Sequence, residues 1–211
     1  MLRKSRLATV LISTGLTSAL LVGCGDDTSG SDNPSATTSV DTAAAPTELT
    51  WSRWQGVQLP TSRVDGPRNV DGDVVSGYTN SPQGAVLAAV HGSIRLALSP
   101  DTSWPKVANA VAAPGVGRDT YAVNRALISI AAVPPGPAPM AVKGFRVDEY
   151  SPTRSVISVA VAQPNLPLTA AKQTVVWSGE DWKVLLPAPG SEVEPTTVSD
   201  LTGYTALEGP Q

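Results

Sequence analysis

The 211-residue chain contains one cysteine, one histidine, one phenylalanine and two methionines. A single cysteine excludes an intramolecular disulfide and a cysteine-rich zinc site, and a single histidine excludes a metal site built from several imidazoles. The sequence also lacks three common functional motifs: the Gly-x-Ser-x-Gly elbow, the Walker loop and the His-Glu-x-x-His segment. We therefore predict a protein that is not an enzyme and that needs neither a cofactor nor a metal ion.

The central part of the chain also lacks an excess of charge of one sign. Residues 48–188 carry 12 basic and 10 acidic side chains, and the basic ones are spread along the sequence without forming a run. Residues 24–47 and 189–211 contain acidic residues and no basic residue. Because nucleic-acid binding requires a concentrated positive surface, we expect no nucleic-acid partner.

The N-terminus has the pattern of a secretory signal, since three positive charges in residues 1–6 precede an uncharged stretch over residues 7–25. The end of this stretch, Leu-Val-Gly23-Cys24, resembles the bacterial lipobox. The resemblance implies cleavage between Gly23 and Cys24 and a diacylglyceryl group on the Cys24 sulfur, usually with a further fatty acid such as palmitate on the freed amine. Two or three acyl chains anchor a domain stably. We therefore expect a lipoprotein on the extracytoplasmic face of the cell membrane.

Composition divides the chain into four parts. Residues 1–23 are the predicted lipoprotein signal peptide, and residues 24–47 are the lipidated cysteine followed by a disordered tether, because their small polar residues cannot bury enough apolar area to fold. Residues 48–188 hold the tryptophans and most of the Val, Ile and Leu of the mature chain, so they form the folded domain. Residues 189–211 are predicted to be a flexible acidic tail.

Helix signals follow one another in the first half of this domain. Ser81 as the N-cap and Pro82 in the first turn predict a helix that runs to about Leu98, with apolar residues on one face and small residues on a second. A second short helix is predicted after Ser103. A third is predicted from Asp119, with its Val and Leu side chains facing inward.

After a Pro-rich crossing, the pattern changes to the alternation that is typical of strands. Residues 140–150, 155–163, 172–177 and 182–186 are four strand candidates, separated by turn-forming residues. Helices followed by an antiparallel meander predict an α+β fold, in which N-terminal helices pack on a curved antiparallel sheet of about four strands.

Three segments, residues 77–89, 143–151 and 175–187, resemble a family of actinobacterial envelope lipoproteins. Many members of that family look like accessory proteins of integrative and conjugative elements. The order of helices and strands also resembles the NTF2-like cone fold, to which the extracytoplasmic domains of VirB8-type conjugation channel proteins belong. The resemblance covers about residues 49–188. It implies a cone-shaped domain with a non-enzymatic role and an envelope protein as its partner.

A cone of this kind could hold a pocket, and we expect His91, Trp177 and Trp182 to line it. We first expect an anchored interaction or scaffold domain, accessory to a conjugation or secretion system. A second hypothesis is a lipid-anchored carrier or sensor that binds a small apolar molecule in the pocket. A third makes His91 the general base of a hydrolase or isomerase, which requires this side chain to face a cavity.

Overall fold

The structure is a computed structural model that describes residues 40–132 and 137–210, which belong to one compact unit. The predicted signal peptide, Gly23 and Cys24 lie outside the described residues.

Two antiparallel hairpins precede the helices. Strand β1 (Leu49–Trp54) pairs with β2 (Val57–Ser62) through a two-residue turn at Gln55 and Gly56. Both turn residues have positive φ angles, 47° and 80°, as the tight type I′ turn requires. Strand β3 (Asn69–Asp71) pairs with β4 (Val74–Ser76) to form the second hairpin.

Helix α1 (Pro82–Leu98) forms the centre of the domain. The Ser81 side chain accepts a hydrogen bond from the Gly84 backbone N–H at 3.0 Å, so the predicted cap and the predicted end of this helix are confirmed. Side chains on nearly every side of α1 are buried, because strands lie against one face and α2 (Trp104–Val111) against another. Helix α3 (Val116–Arg125) follows α2.

The main sheet is antiparallel and contains six strands. Its order is β10-β5-β6-β7-β8, and β9 pairs with the same edge of β7 as β8 does, but nearer the other end of that strand. The strands are β5 (Ala141–Ser151), β6 (Arg154–Ala162), β7 (Thr169–Trp177), β8 (Trp182–Val184), β9 (Thr196–Thr197) and β10 (Thr205–Ala206).

The predicted fold, an NTF2-like cone with N-terminal helices on a sheet of about four strands, is wrong. Four strands in two small separate sheets come before the helices, and the main sheet has six strands. The two extra strands of that sheet, β9 and β10, are only two residues long and come from the acidic C-terminal segment. Two residues are too few to show the alternation of apolar and polar side chains that is typical of a strand, so the sequence pattern did not predict β9 or β10.

Residues at both ends of the described chain contact the domain. The Gln83 side chain donates to the backbone carbonyls of Asp41 and Ala44 at 2.9 and 3.1 Å. Thr205 donates through its hydroxyl to the Ala43 carbonyl at 2.7 Å, and Leu207 is buried. Residues 41–44 and 205–207, which the sequence analysis assigned to a tether and a tail, therefore lie against the folded domain.

Candidate interaction surface

His91 is buried in the core, 1% exposed, with both ring nitrogens occupied. The Arg95 Nε–H donates to Nδ1 at 3.4 Å, so the ring hydrogen lies on Nε2, which donates to the Pro60 carbonyl at 2.7 Å. Burial, and secondly the positive charge of Arg95, lower the pKa of His91 from 6.5 to about 3. This imidazole is neutral and has no free lone pair for a substrate, which excludes it as a general base.

The two tryptophans expected beside His91 pair with each other instead. Trp177 and Trp182 are cross-strand partners in β7 and β8, with ring centroids 5.5 Å apart in an edge-to-face arrangement. Trp182 is 2% exposed, and its Nε1 donates to the Thr79 carbonyl at 2.9 Å. The two rings join adjoining strands.

Within the described residues, the clefts that we find lie at the surface and are lined by residues other than His91, Trp177 and Trp182. The region that was expected to be the pocket is filled by side chains of the core. No further observation favours an apolar ligand at these three residues.

Four exposed apolar side chains lie on the outer face of α3 and in the turn after it. Val116 and Val123 lie two helical turns apart on one face, and Leu127 and Ile128 follow in the turn after the helix. Their exposed fractions are 63%, 66%, 79% and 57%. We call these four residues the α3 surface. The predicted inward direction of Val123 and Leu127 is wrong, because these two side chains point to solvent.

Arg125 explains this reversal, because it is 3% exposed and draws the opposite face of α3 toward the protein. Its guanidinium donates to the Ser99 carbonyl and to the Asp101 carboxylate, both at 2.8 Å, and lies 5.7 Å from the Trp104 ring centroid. Tyr121, one turn before Arg125, donates to the Leu96 carbonyl at 2.8 Å. These bonds fix α3 on the end of α1.

The same cluster holds the turn that presents Leu127 and Ile128. Arg125 donates to the Ile128 carbonyl at 2.9 Å, while Asp101 accepts from the Ile130 backbone N–H at 3.0 Å and from the Ser129 hydroxyl at 2.6 Å. The bond from Ile130, followed by those from Ser129 and Arg125, lowers the pKa of Asp101 from 3.8 to about 2. The turn that presents Leu127 and Ile128 is thus held in place by several hydrogen bonds.

The α3 surface was not predicted from the sequence, although a signal was present. Tyr121 and Arg125 share one helical spacing, and Val123 and Leu127 share another on the opposite face. Choosing the aliphatic pair as the inner face follows the usual rule for amphipathic helices. A buried arginine with a carboxylate partner 24 residues away overrides that rule, and the partner is not visible from local spacing.

Among the described residues, no helix is both long and apolar enough to cross a membrane. Within those residues, no cluster of three or more His, Cys, Asp or Glu side chains is placed to hold a metal ion.

Comparison with known proteins gives one match. Residues 24–206 match a protein family described as "Domain of unknown function (DUF8175)". No curated protein and no solved structure matches the chain.

Proposed function

Because the chain belongs to the DUF8175 family, whose description carries no activity, we propose a function from the features of the chain itself. The protein is a lipid-anchored, extracytoplasmic interaction domain without enzymatic activity. It binds an envelope protein through the α3 surface, and a conjugation or secretion system is the kind of assembly to which such an adaptor belongs.

The exposure of the α3 surface is the observation that carries this proposal. Single exposed apolar residues are ordinary, but several on one well-fixed element mark interaction sites. Four aliphatic side chains here are each more than half exposed, while Arg125 in the same helix is buried among hydrogen-bond partners. A surface that is already ordered loses little conformational entropy when a partner covers it.

The proposed location rests on the N-terminal sequence. A charged start, an uncharged stretch and the lipobox-like residues before Cys24 occur in that order. Incorporation of labelled palmitate into the wild-type protein, and its loss in Cys24→Ala, is the expected result. Equal labelling of the two proteins would refute the anchor.

The proposed binding role is tested by site-specific photo-crosslinking in cells. A photoreactive amino acid at position 127 should give a discrete adduct with a second protein, and Val123→Ser in the same chain should abolish it. Leu166 is the control position, because it is a leucine in the loop between β6 and β7. Its side chain is 60% exposed, so it is accessible to other proteins as that of Leu127 is. No adduct at position 127, or the same adduct from position 166, would contradict the proposed role.

A further inference from the structure

A large cleft lies next to the α3 surface, along the outer edge of β7. Strand β8 pairs with residues 175–177 of this edge, β9 pairs with residues 169–170, and the Leu185 N–H donates to the Thr174 carbonyl at 2.8 Å, so residues 171–173 have no partner strand there among the described residues. The cleft at this gap has a volume of about 760 Å³, in the usual range for ligand sites. The start of α3 and residues 185–188 and 191–193 form its other walls. We call it the β7 cleft.

The charges in the β7 cleft do not cancel. Glu149 accepts from Arg154 at 2.8 Å, and the Glu192 carboxylate accepts from the Gly190 backbone N–H at 2.7 Å. Arg118 has neither an ion pair nor a hydrogen bond with any described residue. Lys172 is also exposed in the cleft. After the one ion pair of the cleft is formed, the Arg118 and Lys172 cations and the Glu192 carboxylate remain, so the lining has a net charge of +1.

Asp148, an acidic residue outside the lining, makes no bond to Lys172. Asp148 acts on Lys172 through its charge, but its carboxylate already accepts from Arg146 at 2.7 Å and from the Ser158 hydroxyl at 2.6 Å. Burial raises the pKa of Asp148, and these two hydrogen bonds outweigh burial and hold the pKa below its usual value. Asp148 is thus ionised at neutral pH and bound on both oxygens, and it makes no direct bond to Lys172.

Apolar side chains line the same cleft as the two cations. Val116, Leu185 and Val193 line the cleft and are 63%, 39% and 68% exposed. Val116 also belongs to the α3 surface, so the cleft and that surface are continuous. An occupant that covers these aliphatic groups and reaches both cations must carry apolar side chains and negative charges along one short segment.

We propose that the β7 cleft binds an extended acidic segment of the partner protein, with alternating apolar and carboxylate side chains. This inference rests on the proposed function, because the partner that covers the α3 surface supplies the segment. Carboxylates of the segment pair with Arg118 and Lys172, and its apolar side chains cover Val116 and Val193.

The direct test measures fluorescence anisotropy of labelled peptides with the full chain in detergent. The probe is a short peptide of alternating leucine and aspartate, and the matched probe replaces aspartate with lysine. The acidic peptide should bind more tightly, and its affinity should fall as ionic strength rises. Arg118→Gln with Lys172→Gln should weaken it by about tenfold or more, since both cations contact it. Lys106→Gln on α2, outside the cleft, should have no effect.

The outcomes separate this inference from the proposed function. Equal binding of the two peptides, or no loss in the double variant, overturns the inference, whatever the crosslinking at position 127 shows. An unchanged adduct at position 127 in the double variant, together with no acidic peptide binding, leaves the α3 surface as the binding site and removes the cleft. Selective peptide binding without any adduct at position 127 supports the cleft and refutes the proposed role of the α3 surface.

Discussion

The Asp181 carboxylate accepts a hydrogen bond from the Tyr78 backbone N–H at 2.9 Å, across 103 residues of sequence. Its second oxygen accepts from the Gly77 N–H at 2.8 Å, and the neighbouring Trp182 donates to Thr79. The two segments that meet here, 77–89 and 175–187, are two of the three that carry the resemblance to envelope lipoproteins. These hydrogen bonds join the residues just before α1 to the turn between β7 and β8. The role of these residues is therefore structural.

Replacing Asp181 should therefore destabilise the domain without touching the α3 surface. Asp181→Ala leaves two partly buried backbone N–H groups without their acceptor, at a cost of about 1–3 kcal/mol each. Urea unfolding followed by tryptophan fluorescence measures the loss. Glu180→Gln, an exposed change one residue away, should be within about 0.5 kcal/mol of wild type. Equal stability of the two variants would show that Asp181 does not join these segments.

A glycine on α1 allows the sheet to approach the helix closely. A Cβ atom at Gly92 would clash with Cγ2 of Val184 on β8, so the absence of a side chain at this position permits the close approach. Gly92→Ala should lower the free energy of unfolding by about 1–3 kcal/mol through overpacking. Adding Val184→Ala should recover part of this loss, since it removes the clashing methyl group. Purely additive losses in the double variant would contradict this explanation.

The buried neutral His91 predicts that stability depends on pH. Its pKa is about 3 in the folded protein and 6.5 in an unfolded chain, so the unfolded state binds the proton more readily. Its contribution is complete above about pH 6.5 and is lost as pH falls toward 3, with a slope of up to about 1.4 kcal/mol per pH unit.

The variant His91→Gln checks this prediction. It should be less stable than wild type at pH 7 by about 1–3 kcal/mol, because glutamine replaces the buried hydrogen bonds imperfectly. Between pH 6.5 and 4, however, its free energy of unfolding should decline less steeply than that of wild type. Parallel curves for the two proteins would show that His91 does not titrate on unfolding.

Asp101 predicts a second loss at lower pH, located at the α3 surface. Its pKa of about 2 lies below the value of an unfolded aspartate, so its contribution is present above about pH 4 and is lost as pH falls through 2. Over this interval the protection factors of the backbone amides of residues 126–130, which correct for the pH dependence of intrinsic exchange, should fall before global unfolding. Asp101→Asn should show raised exchange there already at neutral pH. If neither low pH nor Asp101→Asn changes the protection of residues 126–130, Asp101 does not hold this turn in place.

Local signals determined most of the central elements. The Ser81 cap and Pro82 defined α1, and the candidate strands at 140–150 and 155–163 differ from β5 and β6 by one residue at each end. These elements are long and have a strong hydrophobic period, which propensity and burial reinforce. The same reasoning could not assign β3 and β4, because three residues between turns are too few to show a period.

The candidate site depended on distant contacts. Nothing near Arg125 in the sequence indicates that it is buried, since its partners Ser99 and Asp101 belong to the end of α1 and the loop after it. Once that arginine is placed inward, Val123 and Leu127 must face outward. His91 was misplaced for a related reason, because the carbonyl of Pro60 that satisfies it lies 31 residues away in β2.

The acidic C-terminal segment also limits how the protein can be trimmed. Strand β10 covers part of β5, β9 covers part of β7, and Leu207 is inserted in the core. A recombinant version that stops at residue 188, where composition alone would set the boundary, would expose backbone groups along two strands of the main sheet. Such uncovered edges favour association between copies, so shortening the chain for crystallisation or expression would promote aggregation.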